Sequence, residues 1–254
     1  EEIEGAGYVY KRVRARELWD KIVGAAYVHA EPGVIFIDRV NQLNNLAYCE
    51  HIHCCNPCGE QMLPDNGDCN LGHTNLAVMV DQPFESDTAF RWDKLENAAN
   101  TMVRLLDNVL DVTLWPTEEQ AAEARAKRRI GLGFTGLASA LQQLGIPYGS
   151  DRAVEFTRTV AHKQAIAAYV ASVDLARERG AFPLYNREKY LQSPFARKMN
   201  AETIGLITAH GIRNGVLLSI APTGTTSLVV GNVSSGIEPV FAHSFRRKVR
   251  GGNG

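Results

Sequence analysis

The 254-residue sequence has almost no excess of charge, with 27 basic against 28 acidic side chains and a net charge of −1. No basic tail or stripe is present, so a nucleic-acid partner is not expected. No apolar run approaches the roughly 18 residues that cross a bilayer, so no membrane partner is expected either. The opening EEIEGAGYVYKRVRARELW is charged and lacks the apolar centre of a signal peptide, which points to the cytoplasm. There is no internal repeat and no low-complexity linker. Cysteine is scarce: five in all, four of them between positions 49 and 58. That odd, clustered set does not match a secreted disulfide framework, and in a cytoplasmic chain it points to redox chemistry or metal. The chain lacks an initiator Met and stops at Gly251-Gly252-Asn253-Gly254, which reads as a piece of a longer polypeptide.

What is present is enough apolar material, 45% of residues, to bury a sizeable core as one large domain or two small ones. Helical spacing of apolar side chains predicts helices over 16–30, ended by Glu31-Pro32-Gly33, and over 93–113. Pro116 opens another helix that runs to about Lys127, and further helices are expected over 135–144 and 151–179, with Gly180 as a C-cap. Short apolar segments at Val34–Ile37, Asn75–Val80 and Val216–Ala221 predict strands, and Ile130–Phe134 is short and Gly-rich. Strands alternating with helices indicate an α/β fold with a mostly parallel sheet.

The chain is organised around CCNPCGEQMLPDNGDCNLGHTN, residues 54–75. Pro57 pushes Asn56 away from helical geometry, so an extended segment is expected there. In an extended chain Asn56, Cys58 and Glu60 share one face: an amide, a thiol and a carboxylate directed into one pocket. Gly59 lets a ligand approach the backbone beside the thiol. The turn-rich Pro64–Asp68 run could return a second thiol, Cys69, toward Cys58. Two other readings stand beside this one. Cys55, Cys58, Cys69 and His73 have the outline of a Cys3His zinc site, though no second C-x-x-C exists and zinc would leave Glu60 without a role. The cysteines could equally be buried thiols without chemistry.

Two further stretches are candidates. In IAPTGTTSLVVG (220–231), Pro222, Thr223, Gly224, Thr225, Thr226 and Ser227 end an apolar strand with hydroxyls and free N–H groups, a way to hold phosphate without lysine. An ordinary helix N-cap cluster explains the same residues. Gly131-Leu132-Gly133-Phe134-Thr135-Gly136 fits G-x-G-x-x-G, but no full strand precedes it and no acidic strand end follows about twenty residues on. Tight strand–helix packing is the better account. His51, His53 and His73 lie near the central loop and His29, His162, His210 and His243 elsewhere; none is assigned to catalysis, and no metal is expected.

NPCGEQ, a following cysteine and NLG-x-x-NL resemble the active-site loop of the ribonucleotide reductase large, catalytic subunit. The Pro-Cys-Gly setting is most similar to the adenosylcobalamin-dependent class II enzymes. APTGT-x-S with SSGIEPVFA (234–242) resembles the loop that grips the substrate diphosphate, and RRIGLG-x-x-GLA-x-AL resembles a structural barrel segment. The resemblance implies that residues 1–254 are part of a ten-stranded α/β barrel, with a central finger loop at about 49–75 and a phosphate-binding loop at about 221–228. It implies radical reduction of ribonucleotides for DNA precursor synthesis. Cys58 would carry a thiyl radical, Glu60 would act as base on the 3′-OH, Asn56 would hold the sugar, and Cys69 would donate an electron and end in a disulfide. Cys69's partner in the family lies upstream; no cysteine precedes Cys49 here, so it falls outside this stretch unless Cys49, Cys54 or Cys55 substitutes. Glu238 is read as structural or as a support standing behind the site residues. A nucleotide effector, an external thiol reductant such as thioredoxin, and a homodimer of the whole enzyme are implied, with the piece alone inactive. A class I subunit, taking its radical from a partner subunit, is the near variant. The pattern departs at His73-Thr74, where the family usually carries Ser-Ile, and at Met62 and the Asp65-Asn66 turn.

Overall fold

The computed structural model describes residues 2–3, 7–8 and 10–246, which divide into two compact units, Glu1–Asp38 and Arg39–Gly254. The first unit holds an antiparallel pair, β1 (Glu2–Ile3) with β2 (Gly7–Tyr8), and helix α1 (Ala15–His29). α1 stops where Ala30 adopts left-handed backbone (φ 59°), one residue before the expected Glu31-Pro32-Gly33 stop. Its side chains are not buried. The strand expected at Val34–Ile37 is absent: residues 31–36 are irregular and Ile37 begins helix α2 (Ile37–Leu43). A four-residue apolar run does not by itself distinguish strand from helix, and here context overrides its β-propensity.

The second unit is built on a parallel sheet. Strand β3 (Cys54–Cys55) pairs antiparallel with β4 (Met62–Leu63), while β5 (Asn70–Asn75), farther on, becomes one of the parallel strands. The chain then makes a 3-10 turn (Leu76–Met79) and a small antiparallel pair, β6 (Val80–Asp81) with β7 (Ala89–Phe90). The strand expected at Asn75–Val80 therefore ends where it was meant to begin. Asn75 accepts the Ala77 N–H on its side chain and turns the backbone out of the sheet.

Helix α3 (Trp92–Val112) buries Leu95, Ala99, Val103, Leu106 and Leu110, the 3- and 4-residue spacing that made it legible. Each large apolar side chain in that stripe contributes about 1.5–3 kcal/mol by leaving water. Helix α4 (Glu118–Lys127) is capped by Thr117, whose side chain accepts the Gln120 N–H, and stops at Arg128 in left-handed backbone. The chain then enters β8 (Ile130–Thr135), buried along its whole length and parallel to β5 in the register Leu71↔Gly131, His73↔Gly133. Residues 216–219 run along its other edge: Leu132 bridges Leu218 in parallel, with Leu132 N–H to Leu217 O at 2.7 Å and Ser219 N–H to Leu132 O at 3.0 Å. β5, β8 and this segment run parallel side by side, the kind of sheet that the alternation of elements predicts.

Helices cover one side of the sheet. α5 (Leu137–Gln143) follows β8, and α6 (Asp151–Arg179) is capped at Ser150 and ended by Gly180 at φ 84°. Gln164 of α6 accepts from Thr74 Oγ1 (2.7 Å) and donates to Gly133 O (3.0 Å), tying helix to sheet. Helices α7 (Arg187–Gln192) and α8 (Ala201–His210) complete that layer, each capped by an asparagine (Asn186 and Asn200). A short α9 (Thr226–Val229) follows the third strand segment. No helix among the described residues is long and apolar enough to cross a membrane.

Candidate functional site

The segment expected to be extended is the tip of a hairpin. β3 and β4 pair Cys54↔Leu63 and Cys55↔Met62, and Asn56–Gly59 closes them as a β-turn with Gly59 N–H to Asn56 O at 3.0 Å. Gly59 has φ 78°, a conformation an L side chain rarely adopts. Asn56 accepts the Gln61 N–H on Oδ1 at 3.0 Å, which locks the turn. The amide, thiol and carboxylate therefore do not alternate along one strand face. Asn56 braces the turn, Cys58 is exposed at its tip, and Glu60 begins the return.

Two-residue alternation does place groups together on the sheet. In β5 and β8, Leu71, His73, Gly131 and Gly133 share the face opposite the helices, and Cys69 precedes Leu71 in the same alternation. The hairpin's return strand comes close to this face: Ser219 Oγ donates to Glu60 O at 3.3 Å. The glycines make the approach possible. A Cβ on Gly131 would lie 2.4 Å from Leu71 Cδ2 and 2.7 Å from Gln61 Nε2; one on Gly133 would lie 2.2 Å from Ser219 O and 3.0 Å from His73 Nε2. The G-x-G of the sequence is thus a floor for close packing, but against the neighbouring strands and the hairpin rather than the strand–helix packing expected.

Three polar atoms near this floor are buried without a hydrogen-bond partner: Glu60 Oε2, Gln61 Nε2 and His73 Nε2. Unpartnered buried groups are rare in folded proteins and costly, about 1–3 kcal/mol each, so three together mark a place prepared for something else. Burial pushes the His73 imidazole below its ordinary value, and the Glu60 charge pulls it partly back. Burial pushes the Cys69 thiol up to about 12; Arg129 opposes that shift while Asp68 and Glu60 add to it. The Glu60 charge thus bears on both Cys69 and His73. Glu60, Gln61 and Arg129 also line a cavity of about 290 Å³ with Asn45, Tyr169 and Leu218.

Arg129 is held from behind. Its Nη2 donates to both Glu50 oxygens at 2.8 and 2.7 Å, and Lys127 Nζ lies 2.9 Å from the same carboxylate. Burial alone would raise Glu50, but Arg129 and Lys127 more than offset it and hold the carboxyl below its ordinary value. Sequence reasoning named neither Arg129 nor Gln61, and it left His73 unassigned. Period-two counting from Cys69 through Leu71 is the signal that would have found the histidine.

The second candidate loop, Pro222–Ser227, splits into two kinds of residue. Thr223, at φ 53°, is buried; its hydroxyl lies 2.8 Å from Thr135 Oγ1 and accepts the Gly236 N–H at 2.7 Å. Ser227 Oγ donates to Gly224 O at 3.3 Å. Pro222, Gly224, Thr225 and Thr226 are exposed. The alternative zinc site finds no support: among the described residues no group of three His, Cys, Asp or Glu side chains is arranged to hold a metal ion, and the five cysteines are free thiols.

Comparison with known proteins is consistent in kind. Residues 1–253 match the family model for the ribonucleotide reductase barrel domain. A vitamin B12-dependent ribonucleoside-diphosphate reductase of Mycobacterium tuberculosis is 40% identical over 245 residues, covering 96% of this chain and 32% of that protein. One from Thermoplasma acidophilum is 38% identical over 96% of this chain and 29% of its own length. A ribonucleoside-diphosphate reductase subunit alpha of Chlamydia muridarum is 33% identical over 93% of this chain and 24% of its own. The chain spans about a third or less of the length of these curated relatives. It belongs to the ribonucleotide reductase barrel-domain family.

Proposed function

We propose that this chain is the part of a ribonucleotide reductase barrel that carries the radical thiol, and that the whole enzyme reduces ribonucleotides to deoxyribonucleotides in the cytoplasm. The observation that carries the reading is the hairpin: an exposed thiol at its tip, with a half-buried carboxylate two residues on whose Oε2 is buried without a partner, near the sheet face that begins at a second thiol. In this reading residues 1–254 contribute strands to a ten-stranded barrel, and the hairpin is its finger loop.

The 2′-hydroxide of ribose is a poor leaving group, and removing a hydrogen atom from C3′ first makes its departure feasible. Cys58 Sγ is the group that takes that hydrogen and later returns it. Glu60 takes the 3′-OH proton; its Oε2 has no competing partner. Asn56 Oδ1 is committed to the turn, so its Nδ2 is the end that reaches the sugar. Cys69 is one of the two thiols consumed: one of their hydrogens ends on C2′, the other balances the hydroxyl that leaves as water, and the two sulfurs are joined as a disulfide. The raised pKa of Cys69 keeps it a protonated donor at neutral pH. Pro222–Ser227 is read as the diphosphate loop: Thr223 and Ser227 shape it, and the exposed Gly224, Thr225 and Thr226 present N–H groups and hydroxyls.

The two vitamin B12-dependent relatives described above share 38–40% identity with this chain and the subunit alpha relative 33%, although a further B12-dependent relative shares only 29%; the Pro-Cys-Gly setting of the thiol and the two higher identities support adenosylcobalamin as cofactor over a radical from a partner subunit. The tip fits a bulky group: Cys58 is exposed, and a Cβ built on Gly59 meets nothing within 4 Å, so the sulfur can be approached without moving the backbone. Pro57, Cys58 and Gly59 are the residues such a group would rest against. When bound, adenosylcobalamin supplies the organic radical that starts hydrogen transfer at the thiol. The whole enzyme would also take a nucleotide effector and an external thiol reductant such as thioredoxin, and work as a homodimer. The test is Cys58→Ala in the polypeptide that carries this chain, assayed for deoxyribonucleotide formation. Turnover should fall to background while substrate still binds; retained turnover sinks the reading.

A further inference from the structure

Among the described residues, Glu60 and Glu238 are the carboxylates with a buried oxygen that has no hydrogen-bond partner. The proposed chemistry uses the first and leaves the second. Glu238 closes a turn in which its N–H donates to Ser235 O at 2.9 Å, and Gly236 inside that turn donates to Thr223 Oγ1 at 2.7 Å. The turn is thereby tied back to the loop that follows the third strand segment. A Cβ on Gly236 would lie 2.8 Å from Ala221 O, 3.0 Å from Glu238 Oε2 and 3.3 Å from Pro222 O. Three oxygens thus gather on the side of Gly236 where another residue would place a carbon. Neither carbonyl receives a hydrogen bond from a described residue. Side-chain motifs do not reveal such a cluster, because two of its three oxygens belong to the backbone.

We propose that Glu238 Oε2, Ala221 O and Pro222 O hold a hard divalent cation, Mg²⁺ or Ca²⁺, which fixes Pro222 and brings positive charge to the loop read as diphosphate-binding. The role at the loop rests on the reductase reading; the cation site itself does not. Three acceptors gathered in one place repel one another unless a donor or a positive charge comes between them. A water molecule has two hydrogens to give to three acceptors, whereas a cation serves all three. Oε2 is closed off from solvent by the chain's own residues, so the occupant is small as well as positive. Carboxylate and carbonyl oxygens are the ligands of hard cations, which take about six to eight oxygens and draw the remainder from water or phosphate. Pro222 is exposed, which leaves that side open to them. The loop has a use for the charge. Pro222–Ser227 carries no basic side chain. In the adjoining cavity of about 680 Å³, lined by Gly224 and Ser227 among others, the basic groups are His243 and Arg246. Glu238 alone would set a negative charge behind the phosphate loop; with a divalent cation the pair is net positive.

Two measurements on the polypeptide that carries this chain test the proposal. In the first, metal is stripped with EDTA, the chelator is removed, and Mn²⁺ is added without nucleotide; bound Mn²⁺ is counted from the loss of the free-ion EPR signal. The wild type should hold one more Mn²⁺ per chain than Glu238→Gln, and Mg²⁺ or Ca²⁺ should displace it. Glu238→Gln keeps the side chain's shape and gives the two carbonyls an N–H donor, so its circular dichroism spectrum should match the wild type. Gly236→Ala, whose methyl takes up the space between the three oxygens, should lose the same Mn²⁺. Equal Mn²⁺ counts in the wild type and both variants overturn the site. In the second, the KM of a ribonucleoside diphosphate is measured with and without Mg²⁺. Removing Mg²⁺ should raise the wild-type KM several-fold with kcat within about twofold, and should leave the KM of Glu238→Gln unchanged. A KM that responds to Mg²⁺ alike in both proteins overturns the cation's role at the loop. Turnover by Cys58→Ala would instead sink the reductase reading and leave the Mn²⁺ count as it was.

Discussion

Arg129 and Glu60 line the same cavity, yet the polar interiors they belong to are opposites. Behind Arg129 the donors and acceptors are matched. Glu50 receives Arg129, Lys127 and the Asn44 side chain, and nearby Asp107, fully buried, receives Arg128 Nε at 2.7 Å and Asn214 Nδ2 at 3.0 Å. Around Glu60, by contrast, three buried polar atoms go without partners. Matched networks hold elements in register: Asp107 belongs to α3, Arg128 to the α4–β8 corner, Asn214 to the approach of the third strand segment. Unmatched groups lower stability where they stand, and folds retain them where the partner arrives later, as part of the chemistry.

The comparison breaks most visibly if the matched side is cut. Asp107→Ala should destabilise the protein by about 3–5 kcal/mol, because it strands Arg128 in the interior and removes an acceptor from Asn214. Glu50→Gln should do the same to Arg129 and Lys127, each nearly buried at its charged end. Urea unfolding of purified variants gives the loss; a change under about 1 kcal/mol would mean the networks are ornamental. The Glu50 contribution also has a pH signature. Its carboxyl is held below the ordinary value in the folded state, so the stabilisation is present above the unfolded pKa of about 4.3 and is lost as pH falls through the folded value. The wild type should therefore lose stability on acidification faster than Glu50→Gln.

Gly133→Ala comes next. A methyl 2.2 Å from Ser219 O, between two paired segments, forces the third strand segment away from β8 and should cost about 1–3 kcal/mol or more. Gly59→Ala meets no atom within 4 Å, and its cost is confined to the left-handed backbone, about 1 kcal/mol. Equal losses at both positions would show that the floor is not tightly packed.

On the unmatched side the sign reverses. Glu60→Gln replaces a half-buried carboxylate, one of whose oxygens is buried without a partner, and should leave stability unchanged or raise it by up to about 1 kcal/mol, while abolishing turnover. A loss as large as that of Glu50→Gln would place Glu60 among the scaffold.

These contrasts also explain what could be read from the chain beforehand. α3, α4, α5 and α6 were legible because apolar spacing, the Pro116 start and the Gly180 C-cap are local signals. β5 was not. Asn70–Asn75 is polar and Gly-containing, and it is a strand only because β8 pairs with it from sixty residues away. The hairpin tip was misread through Pro57, taken as a sign of extension. With Asn56 before it and Gly59 two residues after, the same proline sits in the favoured turn position. α7 and α8 went unplaced although Asn186 and Asn200 stand as N-caps. Glu60 and Cys69 could be singled out by residue type and spacing. His73 was within reach of period-two counting from Cys69, but Arg129 and Gln61 were not, because what distinguishes them is whether a distant partner arrives.

Cys69 gives the smallest and sharpest of these tests, since it stands at the edge of the unmatched face. Its thiol is raised to about 12, first by burial and then by Asp68 and Glu60, so in the folded protein it stays protonated through mildly alkaline pH. An unfolded cysteine ionises near 8.5, so this group favours the folded state below that pH and the benefit is lost as pH rises from about 8.5 toward 12. At pH 8 iodoacetamide should therefore modify the exposed Cys54 and Cys58 well before Cys69, an order that peptide mass spectrometry reads directly. Glu60→Gln removes one of the charges that raise Cys69 and should quicken its alkylation by a factor of a few, leaving Cys58 unaffected. If Cys69 instead reacts as fast as Cys58 and ignores the Glu60 substitution, the carboxylate and the second thiol do not share one face, and the division between matched and unmatched interior loses the member that links it to redox chemistry.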